Sequence, residues 1–185
     1  MRHPNILEKN QTVLVVVDLQ EAFRSPIPDF AEITVRTSIA VRGFSLLEIP
    51  IIVTEQYPEG LGRTAEEVLL SLPDDAAIVE KTAFSSCGAD PFREKLRALN
   101  PKQILLCGIE AHICVNQTAH DLLSEGYQVH LLQDCISSRT THDKHTGLEK
   151  MKSSGVLASN VEMALFELLR DSRHEKFREI QQLIK

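Results

Sequence analysis

Residues 13–18 read VLVVVD, and this stretch decides the fold class because five consecutive aliphatic residues end in a carboxylate. A short, unbroken apolar run is typical of a strand that is covered on both faces, as in a parallel sheet. Similar runs recur along the chain and predict further strands at residues 51–53, 76–79, 104–106 and 129–132, with a shorter sixth strand at 156–158.

Segments with helical spacing of apolar residues lie between these runs. The predicted helices cover residues 32–48, 90–99, 112–124 and 174–185, and a further helix follows a cap at Ser159 or Asn160 and runs to residue 168. Strand followed by helix, repeated five or six times, predicts an α/β fold: a three-layer α/β/α sandwich with a mostly parallel, about six-stranded sheet. A chain of 185 residues also suits a single domain, residues 1–185.

Charge and hydropathy narrow the class of partner. The chain carries 20 basic and 26 acidic residues, a net charge of -6, which argues against nucleic acid or an anionic membrane as the main partner. No apolar run is long enough to span a bilayer, and residues 1–11 are too polar for a signal peptide. We therefore expect a cytoplasmic protein that acts on a small molecule.

Three polar residues stand at the carboxyl ends of predicted strands, where α/β folds bind their ligands. Asp18 follows the first strand, Lys81 ends the third, and Cys114 lies just past the fourth, in the predicted first turn of a helix. Each has an ordinary alternative: a helix cap for Asp18, a solvated lysine for Lys81, and a small buried hydrophobe for the cysteine. Together they are chemically coherent, because a carboxylate can take the thiol proton and an ammonium favours the charged forms.

A helix N-terminus carries positive potential, which is expected to lower the pKa of the Cys114 thiol and to stabilise an oxyanion. The other cysteines occupy less favourable positions. Cys107 lies inside the fourth strand, Cys135 follows the fifth strand and Cys87 lies in a Ser/Gly loop, so we predict Cys114 as the nucleophile.

Three motifs carry a resemblance to a known family. DLQEAF at 18–23 resembles the D-x-Q-x-x-F opening of the isochorismatase-like cysteine hydrolases, KTAFS at 81–85 resembles their K-x-x-F-S segment, and GIEAHICV at 108–115 resembles their G-x-x-x-x-x-C-V nucleophile turn. The motifs occur in order and the similarity spans nearly the whole chain. The segment VTEQYPEGLG at 53–62 and the tail FELL at 166–169 look most like the branch of isochorismatase domain-containing proteins.

The resemblance implies a catalytic triad of Asp18, Lys81 and Cys114. It also implies a cis peptide between Ile109 and Glu110, with an oxyanion hole formed by the backbone N–H groups of Glu110 and Cys114. The implied reaction is hydrolysis of an amide or other C–N bond. Family habit, together with the apolar C-terminal helix, suggests a homo-oligomer, a dimer or larger.

Two departures from related families bear on cofactors. Nicotinamidases of this superfamily bind a metal through a histidine-containing segment after the second strand, whereas residues 54–62 contain no histidine. His142 and His145, spaced for one helix face, are interpreted as solvated, so no metal and no cofactor are predicted. Isochorismatase proper cleaves a vinyl ether without a cysteine nucleophile, and Cys114 therefore argues against that reaction.

Several further residues are candidates for the substrate pocket by position: Gln20, Phe23, Gln56, Tyr57, Phe84 and His112. The phenylalanines could equally be core aromatics, Gln20 could serve only to hydrogen-bond its loop, and His112 could simply be exposed. Few other charged side chains are expected at the strand ends, which favours a neutral or weakly polar substrate. Two other functions stay open: a non-catalytic, protein-binding relative, and a thiol redox protein in which Cys87 resolves Cys114.

Overall fold

The computed structural model describes residues 3–185, and in them six strands form one fully parallel sheet in the order β3-β2-β1-β4-β5-β6. The strands are β1 Thr12–Val17, β2 Ile51–Gln56, β3 Ala77–Lys81, β4 Gln103–Gly108, β5 Gln128–Ile136 and β6 Leu157–Ser159. The six predicted strands are confirmed, and the structure extends several of them by a few residues.

Helices connect the strands. They are α1 Phe30–Leu46, α2 Pro58–Leu61, α3 Glu66–Leu69, α4 Asp90–Leu99, α5 Asn116–Ser124, α6 Thr141–Ser153, α7 Val161–Leu169 and α8 Phe177–Leu183. The sequence did not predict α2 and α3, because a four-residue helix is too short to show a periodic pattern. In the part of the chain that the structure describes, no helix is both long and apolar enough to cross a membrane.

Alternate residues of the strands face two separate apolar clusters. Leu14 and Val16 of β1 belong to a cluster completed by α1, α7 and α8. Val13, Val15 and Val17 belong to a second cluster, which α4 and α5 complete on the opposite face. All five side chains are fully buried, and each burial contributes about 1.5–3 kcal/mol relative to exposure. The predicted three-layer α/β/α sandwich is confirmed.

The strand order reverses between β1 and β4. From β1 the chain moves outward through β2 to β3, and it then returns to place β4 against the free side of β1. A crevice opens beyond the carboxyl ends of the strands at such a reversal. Asp18 follows β1 and Cys114 follows β4, so the topology brings both residues to this crevice.

The C-terminal helix packs on its own chain. Ile180 is fully buried, and Phe177 and Ile184 pack against the same apolar cluster as α1. The apolar side of α8 is therefore already covered, and this helix does not by itself indicate self-association.

His130 of β5 makes the fold sensitive to acid. It is 3% exposed, and burial lowers the pKa of its imidazole from 6.5 to about 4. The folded state therefore binds a proton less readily than the unfolded chain, so the stabilising effect is fully present above pH 6.5 and is lost as the pH falls towards 4. We expect the free energy of unfolding to decrease by about 3 kcal/mol from this group over that range.

Urea unfolding of the wild type and of His130→Gln at a series of pH values measures this contribution. The variant is expected to lose much less stability below pH 6.5, whereas His145→Gln, at an exposed position on α6, is expected to behave as the wild type. Parallel pH profiles of the wild type and His130→Gln would contradict the assignment.

Candidate active site

Asp18 directly follows β1 and is the first residue of the site along the chain. Its backbone adopts a positive φ of 50°, and its side chain is almost completely buried. The hydroxyl of Thr54, within the neighbouring strand β2, donates to Asp18 Oδ1 at 2.7 Å. The other oxygen, Oδ2, lies 2.6 Å from the ammonium of Lys81. A helix cap does not account for these contacts, because both oxygens of the carboxylate are used inside the crevice.

Lys81 is the last residue of β3, and its side chain is 0% exposed. Besides Asp18, its Nζ contacts Gln56 Oε1 at 2.8 Å and the carbonyl oxygens of Ala83 and Phe84 at 3.0 Å each. Four acceptors surround a group that has only three N–H donors, so the ammonium is held in one place. The alternative of a solvated lysine is wrong.

Cys114 lies in a π-helical turn, Ala111–Val115, that precedes α5. The prediction that it occupies the first turn of an α-helix is therefore wrong in detail, since α5 begins only at Asn116. Gly147 of α6 packs closely on this turn, where an added Cβ would lie 2.9 Å from backbone atoms of Ala111. Such π turns recur at functional sites.

The thiol of Cys114 is 7% exposed, and burial raises its pKa to about 12. The negative charge of Asp18 raises this pKa further, while the ammonium of Lys81 opposes the rise. The expected lowering of the thiol pKa is wrong, because loss of solvation, together with the charge of Asp18, outweighs the ammonium of Lys81. The resting group at neutral pH is a thiol, and it needs a proton acceptor before it can attack.

Asp18 is suited to accept that proton. Burial raises the pKa of its carboxyl, whereas Lys81, the Thr54 hydroxyl and the nearby Cys114 thiol act in the opposite direction. The thiol is therefore close enough to Asp18 to influence its pKa, which is what a transfer of the thiol proton to this carboxylate requires.

Glu110 lies between β4 and the π turn, and the peptide bond between Ile109 and Glu110 is cis, the geometry that the resemblance implies. Its carbonyl accepts the N–H groups of Ile113 and Val115 at 3.1 and 3.2 Å. Its own N–H donates to no acceptor within residues 3–185. The side chain is 5% exposed and contacts Arg139, whose Nε lies 3.0 Å from Oε1.

Two of the candidate pocket residues serve the scaffold instead. Gln20 is fully buried; its amide donates to the carbonyls of Gln56 and Gly62 at 3.0 and 2.7 Å, and its Oε1 accepts the Gln56 N–H at 2.8 Å. These three bonds tie the loop after β2 and leave the amide inaccessible to a ligand. Phe23 packs against the apolar cluster on the α1 side.

The other four candidates stay close to the triad. Gln56 binds the Lys81 ammonium, and its own amide donates to the Thr82 carbonyl at 2.7 Å. Tyr57, in a left-handed conformation with φ 38°, and Phe84 are 51% and 56% exposed, and both flank Lys81 through their backbones. His112 is partly exposed, and its Nδ1 lies 3.0 Å from Ser138 Oγ.

The sequence reasoning missed Thr54 and Arg139. Both stand at the same edge of the sheet as the triad, Thr54 within β2 and Arg139 three residues after β5. The strand-end rule could have found them, had it been applied to every polar residue that follows a predicted strand.

Open depressions also lie away from this edge. One of about 470 Å³ adjoins Gln103 and Gln128 at the amino ends of β4 and β5, and another of about 660 Å³ lies between α1 and α8. Neither contains a member of the triad, so contacts between side chains, and not cavity size, identify the site.

Within residues 3–185, no group of three or more His, Cys, Asp or Glu side chains is arranged to hold a metal ion. His142 and His145 are both exposed on α6. A protein without stoichiometric metal stays a prediction: elemental analysis should find less than one zinc or iron per chain, and chelators should leave activity unchanged. One bound metal per chain would contradict it.

Thr54→Val is expected to move the acid limb of Cys114 reactivity to higher pH. The Thr54 hydroxyl lowers the pKa of Asp18, so its removal leaves the carboxyl protonated, and unable to accept the thiol proton, over a wider acid range. The pH dependence of Cys114 alkylation by iodoacetamide measures this shift. Thr34→Val, a matched change at a buried threonine that bonds Ala31 within α1, should leave the profile unchanged. Coincident profiles for all three proteins would contradict the role of Thr54.

Comparisons with known proteins find relatives that match nearly the whole chain. The family model of the isochorismatase domain matches residues 12–163. Isochorismatase domain-containing protein 2 of Xenopus laevis is 38% identical over 100% of this chain and 88% of its own length. The solved structure of the MAR1 ribonuclease from Caenorhabditis elegans is 39% identical, covers 96% of this chain and 91% of its own, and has a TM-score of 0.92.

A more distant structure shares the fold. The octameric hydrolase of unknown specificity from Escherichia coli is 20% identical, covers 100% of this chain and 97% of its own, and has a TM-score of 0.85. The family model alone spans well over half of the sequence. The chain belongs to the isochorismatase family.

Proposed function

We propose that this protein hydrolyses an amide or other C–N bond of a small molecule, with Cys114 as nucleophile and Asp18 and Lys81 as its partners. The observation that supports this most is the fully buried Asp18–Lys81 pair, 2.6 Å apart, beside a buried thiol whose pKa both groups influence. Burying two charges is costly, and a site of this kind is a recognised indicator of catalysis.

In the proposed reaction the Cys114 sulfur attacks the carbonyl carbon while its proton passes to Asp18. The tetrahedral oxyanion would accept hydrogen bonds from the backbone N–H groups of Glu110 and Cys114. When the C–N bond breaks, Asp18 returns the proton to the leaving nitrogen, and a thioester on Cys114 remains. Water then attacks the thioester as Asp18 takes one of its protons, and that proton returns to the sulfur when the carboxylic acid leaves.

The expected roles of the partners follow from their contacts. Lys81 keeps the Asp18 carboxylate charged and oriented, although it touches neither the substrate nor the thiol in this scheme. Because the resting thiol has a raised pKa, attack and proton transfer occur together. The scheme therefore needs no preformed thiolate.

Three other functions can be compared with specific observations: a redox pair, a protein-binding role and ribonuclease activity. A redox pair with Cys87 is disfavoured because that residue is only 2% exposed. A protein-binding role would not require the buried ion pair. Ribonuclease activity is the second candidate, since the similar C. elegans structure carries that name. The net charge of -6 weakens this candidate, because phosphate backbones are bound by excess positive charge.

One screen separates these functions. The protein is incubated with panels of small amides, imides and carbamates and, in parallel, with single-stranded RNA; intact-mass analysis follows each reaction. We expect turnover of at least one C–N compound and a trapped acyl group on Cys114. Cys114→Ala should lose both, and Cys87→Ala, a matched change at another buried cysteine, should keep them.

RNA cleavage that survives Cys114→Ala, or a disulfide between Cys87 and Cys114 as the main modified species, would contradict the proposal. We also propose that the chain acts as one domain, forms a homo-oligomer and works in the cytoplasm. Sedimentation equilibrium tests the oligomer, and a monomer at micromolar concentration would contradict it.

A further inference from the structure

A second ion pair, which the proposed reaction does not use, lies beside the triad. Glu110 and Arg139 form it, and their side chains differ sharply in exposure: 5% for the glutamate and 55% for the arginine. Glu110 is the residue whose backbone N–H is proposed to hold the oxyanion. Glu110 thus belongs to the turn at residues 108–115 that carries Cys114. Arg139 faces solvent beside that turn, at the surface that we call the rim of the site.

The way in which Arg139 is anchored leaves most of its donors free. Its backbone N–H and its Nε both bind the Glu110 carboxylate, at 3.1 Å to Oε2. The two terminal nitrogens, Nη1 and Nη2, make no hydrogen bond within residues 3–185. A guanidinium fixed through Nε presents four N–H groups in a rigid fork, the geometry that matches a carboxylate.

The position of Arg139 places its segment of the chain beside the turn that carries Cys114. Arg139 follows β5, the neighbour of β4, and the carbonyl of Ser137 accepts the N–H of Ala111 at 2.8 Å. The segments around Arg139 and Cys114 therefore run side by side. His112 lies on the same rim, held by Ser138, with its Nε2 unbonded within residues 3–185.

Other charged side chains lie on the elements packed against this rim, among them Asp143, whose pKa is lowered by the Thr140 hydroxyl and also by the charge of Arg139. Lys144 of α6 lies 3.2 Å from Asp29, the residue that precedes α1, and Asp143 accepts the Thr140 hydroxyl at the start of α6. Lys81 is used by Asp18. Arg139 is thus the cation at this edge that combines an anchored side chain with free donors.

We propose that Arg139 forms an anion-recognition subsite beside Cys114, and that the substrate is an amide that carries one carboxylate near the scissile bond. This inference rests on the proposed function, because it assumes that Cys114 is the reacting group. It departs from the neutral or weakly polar substrate that the sequence favours, since that expectation was made without Arg139. The carboxylate of the substrate would bind the fork while its carbonyl lies over the sulfur.

Two alkylating reagents of nearly the same size test the subsite without knowledge of the substrate. Iodoacetate carries the carboxylate and iodoacetamide does not, so the ratio of their rates at Cys114 reports attraction for an anion. Peptide mapping after timed labelling measures both rates. Changes in thiol reactivity affect both reagents and cancel in the ratio. Repulsion of iodoacetate by the Asp18 carboxylate is the same in every variant that keeps Asp18, so it cancels when the ratios of these variants are compared.

Arg139→Gln is expected to lower the iodoacetate-to-iodoacetamide ratio by about fivefold, the effect of losing a partly exposed ion pair. Arg139→Lys should fall between the two, because it keeps the charge without the fork. Arg173→Gln, at a side chain that is 89% exposed and paired with Asp171, is the matched control and should leave the ratio unchanged.

Arg139→Gln leaves the Glu110 carboxylate without its partner, and that charge would itself repel iodoacetate. The comparison of Glu110→Gln with Glu110→Gln/Arg139→Gln removes this effect, and it also replaces the single variant if that variant does not fold. A ratio that is the same with and without Arg139, at a Cys114 that both reagents modify, would overturn the subsite and leave the proposed nucleophile intact. A Cys114 that neither reagent modifies would overturn both proposals, because a thiol closed to these reagents is closed to a substrate.

Discussion

Replacing Lys81 by methionine should reduce turnover by Cys114 by about 100-fold or more, the usual effect of removing a group that stabilises charge in a buried site. The ammonium is the only cation bonded to Asp18 within residues 3–185, at 2.6 Å from Oδ2. Without it, the largest effect that opposes burial of the carboxyl is lost, and the pKa of Asp18 rises further. A protonated Asp18 cannot accept the proton of the Cys114 thiol.

The same change is also expected to destabilise the fold. The Lys81 side chain is 0% exposed, and removal of one partner from a buried pair costs about 3–5 kcal/mol. Loss of activity could then reflect unfolding alone. Urea unfolding of the variant must therefore show that it is folded at the assay temperature before its rate is interpreted.

A double variant separates the two effects. Asp18→Asn/Lys81→Met removes both charges, so it should recover part of the lost stability while activity stays low. Lys152→Met, at an exposed position of α6, is the matched control and should keep full activity. A folded Lys81→Met protein with near-normal turnover would remove Lys81 from the mechanism.

The sequence contained enough to place the triad at one edge of the sheet. The run at residues 13–17 and the four later runs predict a parallel sheet, and the rule that ligands bind at the carboxyl ends of strands then selects Asp18, Lys81 and Cys114. The family resemblance added the cis peptide at Ile109, which no propensity of isoleucine or glutamate suggests. Local patterns were sufficient here because each residue is fixed by the strand that precedes it.

The contacts made within the site could not be predicted in the same way. The bonds of Lys81 to Gln56 and to the Phe84 carbonyl depend on how the chain turns after β3. The pairing of Glu110 with Arg139 joins residues 29 apart in sequence. These contacts depend on tertiary packing, which a single sequence does not encode in any short pattern.

The pKa of Cys114 is a second property of the site that the sequence alone did not predict. A helix end near a thiol predicts a lowered pKa, and this effect is visible in sequence. Burial acts in the opposite direction and is larger, but its size depends on how the folded chain packs around the thiol. Sequence reasoning therefore predicted a shift of the Cys114 pKa in the wrong direction, because the effect of burial depends on the folded structure.

Gly108→Ala should have the other large effect, on folding as well as on activity. Gly108 ends β4 directly opposite Val17 of β1, with a positive φ of 113°. A Cβ at this position would lie 2.0 Å from the Val17 carbonyl oxygen and 2.8 Å from two further backbone atoms of that residue. Backbone atoms in the centre of a sheet cannot move aside as a flexible side chain can.

Gly126 provides a control that isolates the clash. It also has a positive φ, 88°, but an added Cβ there would meet nothing within 4 Å. Gly126→Ala should therefore cost only the strain of an alanine at positive φ, about 1–2 kcal/mol. Gly108→Ala has the same strain and must also push β1 away from β4. We therefore expect the free energy of unfolding to fall by more than about 3 kcal/mol. That is a large share of the roughly 5–15 kcal/mol that is typical of a folded protein.

Gly108→Ala should also disturb the proposed site, because β1 and β4 lead directly to Asp18 and to the turn that carries Cys114. Asp18 is the next residue after Val17, and the turn that begins after Gly108 leads to Cys114, so any displacement of the two strands separates the carboxylate from the thiol. Where Gly108→Ala can be kept folded at low temperature, its alkylation at Cys114 should lose the pH dependence that Asp18 imposes on the wild type. Urea unfolding and alkylation profiles of both glycine variants test the two parts of this prediction. Equal stability of Gly108→Ala and Gly126→Ala would show that the strands can accommodate a side chain at their junction, and the close approach of β1 and β4 would then not be required to hold the site together.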